Sequence, residues 1–120
     1  MTEKMHQERR RFPRINKNLP LSLQANGFDF ATTTTNISCL GAYCTIDKYI
    51  PPFTKLQIRM SLPAQGQKKV PIECQGVVVR AEDEKNGAFN IAIYFNKIKK
   101  TQTDKISDYI SRITSAVSAR

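Results

Sequence analysis

Over most of this chain, every second residue of each short segment is apolar. In "LSLQANGFDFATT", Leu21, Leu23 and Ala25 fall on one side of an extended backbone, and so do Phe28 and Phe30 beyond Asn26-Gly27. The pattern returns in "KLQIRMSL", with Leu56, Ile58, Met60 and Leu62 in phase, and in "AFNIAIYF", with Phe89, Ile91, Ile93 and Phe95. Side chains alternate between the two faces of a strand, so a period of two specifies strands with one face buried and one wet. The breaks agree. Asn26-Gly27 suits a type I′ hairpin turn, where both central residues need positive φ, and Lys85-Asn86-Gly87 is a second turn signal. Pro51-Pro52 interrupts the chain after the short run "GAYCTI", while "VPIECQGVVVRA" is long and β-branched. From Thr101 the period lengthens: Ile106, Tyr109, Ile110, Ile113 and Val117 recur three and four apart, the stripe of an amphipathic helix. Thr101 or Thr103 is the expected cap of that helix. The expected fold class is therefore mainly β: a small antiparallel barrel closed or flanked by a C-terminal α-helix.

A chain of 120 residues suits one domain and buries enough surface to fold without disulfides or a structural metal. Cys39, Cys44 and Cys74 are odd in number and form no CxxC. They read as reduced thiols packed as small apolar residues, which places the protein in the cytoplasm. The one histidine is His6, and with three scattered cysteines it does not make a zinc site. Nineteen Lys plus Arg against ten Asp plus Glu leave a charge of +9, which favours an anionic partner: a nucleotide, a nucleic acid or a membrane surface. No apolar run approaches the roughly 18 residues of a membrane span, and no apolar segment follows the basic N-terminus as in a secretory signal. The expected organisation is a flexible tail over 1–8, a barrel with an N-terminal arm over 9–98 and the helix over 99–120.

Two short stretches carry the chemistry. "ERRRFPR", Glu8 to Arg14, holds four arginines and Pro13. Proline disfavours the helical region for Phe12 and removes a backbone donor, so the stretch is extended or looped. Arg10 and Arg14 then lie on one side of the chain, about 13 Å apart at about 3.3 Å per residue. A guanidinium fork can grip a phosphate, hydrogen-bond guanine O6 and N7, or stack on a purine; the point charge of lysine does none of the planar work. The plain reading of the stretch is a solvated basic tail. In "NISCLG", Asn36 and Ser38 are two apart, so an extended backbone turns them the same way. Asn offers a donor and an acceptor to a base edge and Ser a hydroxyl. Gly41 allows close backbone approach. The plain reading here is a polar strand end with a glycine turn.

Taken together and in this order, RxxxR (Arg10, Arg14), a β-hairpin, and then [D/N]xSxxG (Asn36, Ser38, Gly41) resemble the signature of the PilZ domain family. "GVVVRAEDEKNGAFNIAIYF" is also similar to that family's closing hairpin. The resemblance runs from Glu8 through the last strand. It implies a six-stranded split barrel, commonly with a C-terminal helix, that binds the bacterial second messenger cyclic di-GMP. By the same resemblance, Arg10 and Arg14 clamp guanine and phosphate, Arg9 adds a phosphate or stacking contact, Asn36 and Ser38 read a guanine edge, and Gly41 shapes the loop. One departure is Asn90 and Ala92, where the family often has glycines.

The implied function is a receptor or adaptor. It has no cofactor beyond its cyclic di-GMP ligand, no expected DNA partner, and a downstream protein partner. Residues 9 to 18 would order over the barrel mouth when ligand binds, because five of those ten residues are Lys or Arg and repel one another. Two alternatives differ in class. One is a PilZ-like adaptor that binds only proteins. The other is a small-barrel binder of single-stranded nucleic acid, for which Tyr43, Tyr49 and Tyr94 are the obvious stacking candidates, most phenylalanines being assigned to the core. An enzyme is not expected: the one histidine lies in the tail, and Asp29, Asp47, Glu73, Glu82 and Asp83 show no paired spacing.

Overall fold

The computed structural model describes residues 12–25 and 27–118, with backbone alone at 85 and 116–118. The expected tail, His6, Arg9, Arg10 and Asn26 lie outside the described residues. Six antiparallel strands form a closed barrel: β1 (Pro20–Ala25), β2 (Phe28–Ile37), β3 (Gly41–Ile46), β4 (Lys55–Pro63), β5 (Lys69–Asp83) and β6 (Phe89–Lys97), joined in the order β1-β2-β3-β6-β5-β4. Pairing of β1 with β4, Leu21 opposite Met60 and Leu23 opposite Ile58, closes the ring. Closure leaves no unpaired strand edge.

The alternation read from the sequence is the packing seen. Leu21, Leu23, Leu56, Ile58, Met60 and Leu62 point into the core, and their neighbours Ser22, Gln24, Gln57 and Arg59 are exposed. Ala25 pairs directly with Phe28 across the first hairpin, and Gly27 has the positive φ, 81°, that the tight turn needs. The second hairpin turns at Lys85–Gly87, with Asn86 and Gly87 at φ 69° and 74°.

Helix α1 (Lys100–Ser118) lies against β4 and β5. Ile106, Tyr109 and Ile110 are buried there, so the helical stripe faces the chain's own barrel. The expected threonine cap is not the one used. The helix begins a residue before Thr101, and the carbonyl of Lys99 accepts from the N–H groups of Gln102 (2.9 Å) and Thr103 (3.0 Å). The side chain of Gln102 also accepts from the N–H of Glu73 at 2.9 Å, tying the helix start to β5.

Four of the six phenylalanines, Phe12, Phe30, Phe89 and Phe95, lie in the core or pack against it, as assigned; two do not. Phe53, beyond Pro51-Pro52, is 85% exposed and Phe28, at the first hairpin, is 49% exposed. Phe53 lies in the turn between β3 and β4, and Phe28 is the first residue of β2 beside the hairpin turn.

Three register shifts interrupt the ladders, and two of them decide which side chains reach the outer face. In β2 the extra residue is Thr35, since Thr34 pairs with Cys44 but Asn36 with Tyr43. In β5 it is Val79, since Val78 pairs with Ile93 but Arg80 with Ala92. A bulge adds one residue to one strand and resets its alternation. Thr34 and Ile37 both face inward, with Asn36 turned out between them; Val78 faces inward and Arg80 out.

All three cysteines are free and buried. Burial pushes the Cys44 thiol from its ordinary 9.0 up to about 12 and the Cys74 thiol up to about 11. Below pH 9 both thiols are protonated in either state. Above it, the unfolded chain releases protons that the folded chain retains, so stability falls as pH rises through the folded-state values. The denaturant midpoint is expected to drop from about pH 8 to about pH 10.5, and less steeply in Cys44→Ala. An unchanged slope in that variant would show that Cys44 ionises freely in the fold.

Candidate functional site

The stretch before β1 is tied to β2 by its backbone. Ile15 and Ile37 exchange two N–H to O=C bonds of 3.0 Å, and the N–H of Thr34 donates to the carbonyl of Leu19 at 2.9 Å. The fully buried Thr34 hydroxyl completes the join, accepting from the N–H of Leu19 at 2.9 Å and donating to the carbonyl of Lys17. Nothing in the sequence marks Thr34 out from the other residues of "TTTT". Residues 15 to 19 therefore already sit on the barrel, which departs from the expectation that all of 9 to 18 orders only with ligand. The physical reason is that this part of the arm finds backbone partners at the end of β2, and these do not depend on an anion.

This anchorage delivers Arg14 to the outer face of the barrel. Its Nη1 donates to Asn36 Oδ1 at 2.9 Å, and its guanidinium carbon lies 4.8 Å from the centre of the Tyr43 ring. Asn36 is itself oriented, because its Nδ2 donates to Asn16 Oδ1 at 2.9 Å. Asn36 and Tyr43 are cross-strand partners on β2 and β3, so they share a face. Arg14 is thus held over an aromatic ring and fixed by one hydrogen bond, while the residue remains exposed. The ion pairs among the described residues are Arg59–Glu73, Arg80–Glu82 and Lys100–Asp104. None uses Arg14, whose contact with Asn36 is to a neutral amide. Its positive charge is available to an anion.

The loop after β2 is built differently from the sequence expectation. Asn36 faces out, but Ser38 is 1% exposed and its Oγ accepts from the N–H of Leu40 at 3.1 Å. The two do not point the same way, because β2 ends at Ile37 and the chain turns there. The N–H of Ser38 donates to the carbonyl of Gly41 at 2.9 Å, closing that turn, and the N–H of Phe95 donates to the carbonyl of Leu40 at 2.8 Å. Gly41 sits hard against β6: a Cβ added there would lie 2.1 Å from the carbonyl oxygen of Ile93. Of the expected site residues, the structure brings Arg14 and Asn36 into contact and places Ser38 and Gly41 in the turn after them. Asn16 and Tyr43 join them. Neither is legible in the sequence as part of this site, although Tyr43 stands out there as a stacking candidate. A separate cleft of about 330 Å³, bordered by Pro20, Arg59, Met60 and Ile72, contains none of the expected site residues.

Comparison with known proteins gives the same outline. The family model described as the PilZ domain matches residues 8–112. No curated protein sequence is similar enough to count as a match. Among solved structures, the chain resembles the Bacillus subtilis inhibitor of motility, MotI/DgrA, with a TM-score of 0.79 and 21% identity over 90% of this chain and 52% of that one. It also resembles the Borreliella burgdorferi protein PlzA, solved in complex with c-di-GMP, with a TM-score of 0.58 and 20% identity over 90% of this chain and 43% of that one. The PilZ domain of CeSA from a cellulose-synthesizing bacterium superposes with a TM-score of 0.51 and 18% identity, covering 88% of this chain and 98% of that one. The chain thus spans about half the length of the first two. At these identities the likeness speaks to the fold.

Proposed function

Because this chain belongs to the PilZ domain family, we propose that it is a cyclic di-GMP receptor or adaptor whose site comprises Arg9, Arg10, Arg14, Asn36, Ser38 and Gly41. The observation that carries this reading is the state of Arg14: stacked on Tyr43, fixed by Asn36, and paired with no carboxylate among the described residues. A guanidinium held this way suits a ligand that combines phosphate charge with flat purines. Asn36 supports base recognition, and Ser38 and Gly41 support it through the turn they close. The solved complex of PlzA with c-di-GMP supports the choice of ligand. No helix among the described residues is long and apolar enough to cross a membrane.

The proposed signal is ordering of the arm, confined to residues 9 to 11 because Phe12 packs against the core, Arg14 is held by Asn36 and Tyr43, and 15 to 19 are already docked. Bringing arginines together costs electrostatic repulsion and roughly 1–2 kcal/mol of backbone entropy per residue. The ligand's two phosphates offset the first, and its guanines offer the guanidinium groups flat surfaces. The ordered arm then presents a new face to a downstream protein partner. Titration calorimetry should show saturable binding of cyclic di-GMP and far weaker binding of cyclic di-AMP, since adenine carries an N6 amino group where guanine carries O6. Amide exchange should slow on loading across residues 9 to 11, while Ile15, Thr34 and Ile37 are protected in both states. Absence of binding, or equal affinity for the two dinucleotides, would overturn the receptor reading. Unchanged exchange at 9 to 11 would overturn the ordering.

A further inference from the structure

Asn36, Tyr43, Ala92 and Arg80 are successive cross-strand partners on β2, β3, β6 and β5, and so form one row across the outer face of the barrel. Two of the four are in the row only because of bulges: Thr35 turns Asn36 outward, and Val79 turns Arg80 outward. The row begins at Arg14, stacked on Tyr43, and ends at the guanidinium of Arg80. Three strand spacings of about 4.8 Å lead from Asn36 to Arg80, about 14 Å measured along the curved surface of the closed barrel. Between Tyr43 and Arg80 the row carries only Ala92, whose small methyl group is itself 7% exposed.

Resting on the receptor reading, we propose that cyclic di-GMP lies along this row, with Tyr43 as the platform that presents Arg14 and Arg80 as a second anion-binding residue at the far end. Tyr43 is a positioning residue. The Arg14 guanidinium carbon lies over its ring, 4.8 Å from the centre, and the side away from Tyr43 is where a purine would stack. Arg80 is exposed and is met by Glu82, two residues along the same strand, at 3.3 Å. Exposed pairs of this kind are weak and exchange readily. A phosphate carries a full charge and several acceptor oxygens, so it competes with one carboxylate for the same fork. Glu82 therefore occupies Arg80 until the ligand arrives, and binding has to displace it.

The sign of that competition makes the test specific. Affinity for cyclic di-GMP is measured by calorimetry in Arg80→Ala, Glu82→Gln, Tyr43→Phe, Tyr43→Thr and Arg59→Ala. Arg59 is a matched control: it is exposed and paired with Glu73 at 3.2 Å, but it lies on β4, off the row. Arg80→Ala should weaken binding about tenfold, and Arg59→Ala, which removes the same charge, should leave it unchanged. Glu82→Gln should strengthen binding about two- to fivefold by freeing Arg80. Tyr43→Phe should bind like the parent, and Tyr43→Thr should lose about tenfold. If the parent protein fails to bind, the receptor reading falls and the row with it. If the parent binds and Arg14→Ala binds more weakly, but Arg80→Ala matches Arg59→Ala or Glu82→Gln gains nothing, the receptor reading stands and the row is overturned.

Discussion

Gly41→Ala is expected to lower the unfolding free energy by about 3 kcal/mol or more, the range of severe overpacking against parts that cannot move. The obstacle is backbone. A Cβ at this position would stand 2.1 Å from the carbonyl oxygen of Ile93, with the Cα of Tyr94 at 3.3 Å. A flexible side chain could swing away; a ladder carbonyl can yield only if β3 and β6 separate. Gly41 is opposite Tyr94 in that ladder, and its own carbonyl accepts from Ser38 in the turn next to Asn36. The substitution should thus cost stability and also displace the loop after β2, so that the proposed binding of cyclic di-GMP is lost even below the unfolding transition. The measurement is the denaturant midpoint at constant m-value, with calorimetry on the folded fraction. A midpoint indistinguishable from the parent would mean that the close approach of Gly41 to β6 is wrong.

The second large effect falls on affinity alone. Arg14→Ala is expected to weaken cyclic di-GMP about ten- to hundredfold, the usual consequence of losing a hydrogen bond to a charged group. Stability should be unchanged, because Arg14 is exposed and precedes the strands. Arg14→Lys should also weaken binding. Lysine keeps the charge but lacks the planar fork that lies over Tyr43 and holds Asn36 Oδ1 at the same time, at 4.8 Å and 2.9 Å. Parallel thermal melts separate a binding defect from a folding defect. A lysine variant that binds as tightly as the parent would reduce Arg14 to a point charge and remove the geometric role given to it.

The barrel is legible in the sequence because each strand carries its own signal. Leu56, Ile58, Met60 and Leu62 alternate with polar residues so regularly that only an extended backbone can bury all four together. The turn at Gly27 and the helical stripe of Ile106, Tyr109 and Ile110 are equally local signals, each set by the conformational needs of a few neighbouring residues. So are the arginines, the Asn36–Gly41 motif and the excess positive charge, which by themselves point to an anionic ligand. Local signals fail where a strand departs from its own period. Reading by alternation puts Asn36 with Thr34 and Arg80 with Val78, on the inside, and turns Ser38 the same way as Asn36.

What the sequence determined by itself is the class of fold, the order of its elements and the residue types on which the proposed site draws. What the tertiary structure decided is which side chains meet. The bulges at Thr35 and Val79 exist because neighbouring strands pair out of step, a property of two strands at once that neither segment encodes alone. The stacking of Arg14 on Tyr43, the burial of Ser38 and the closeness of Gly41 to Ile93 likewise join residues far apart in the chain. Their geometry is set by closure of the barrel, which fixes where β2, β3 and β6 lie against one another, and not by any preference of the residues themselves.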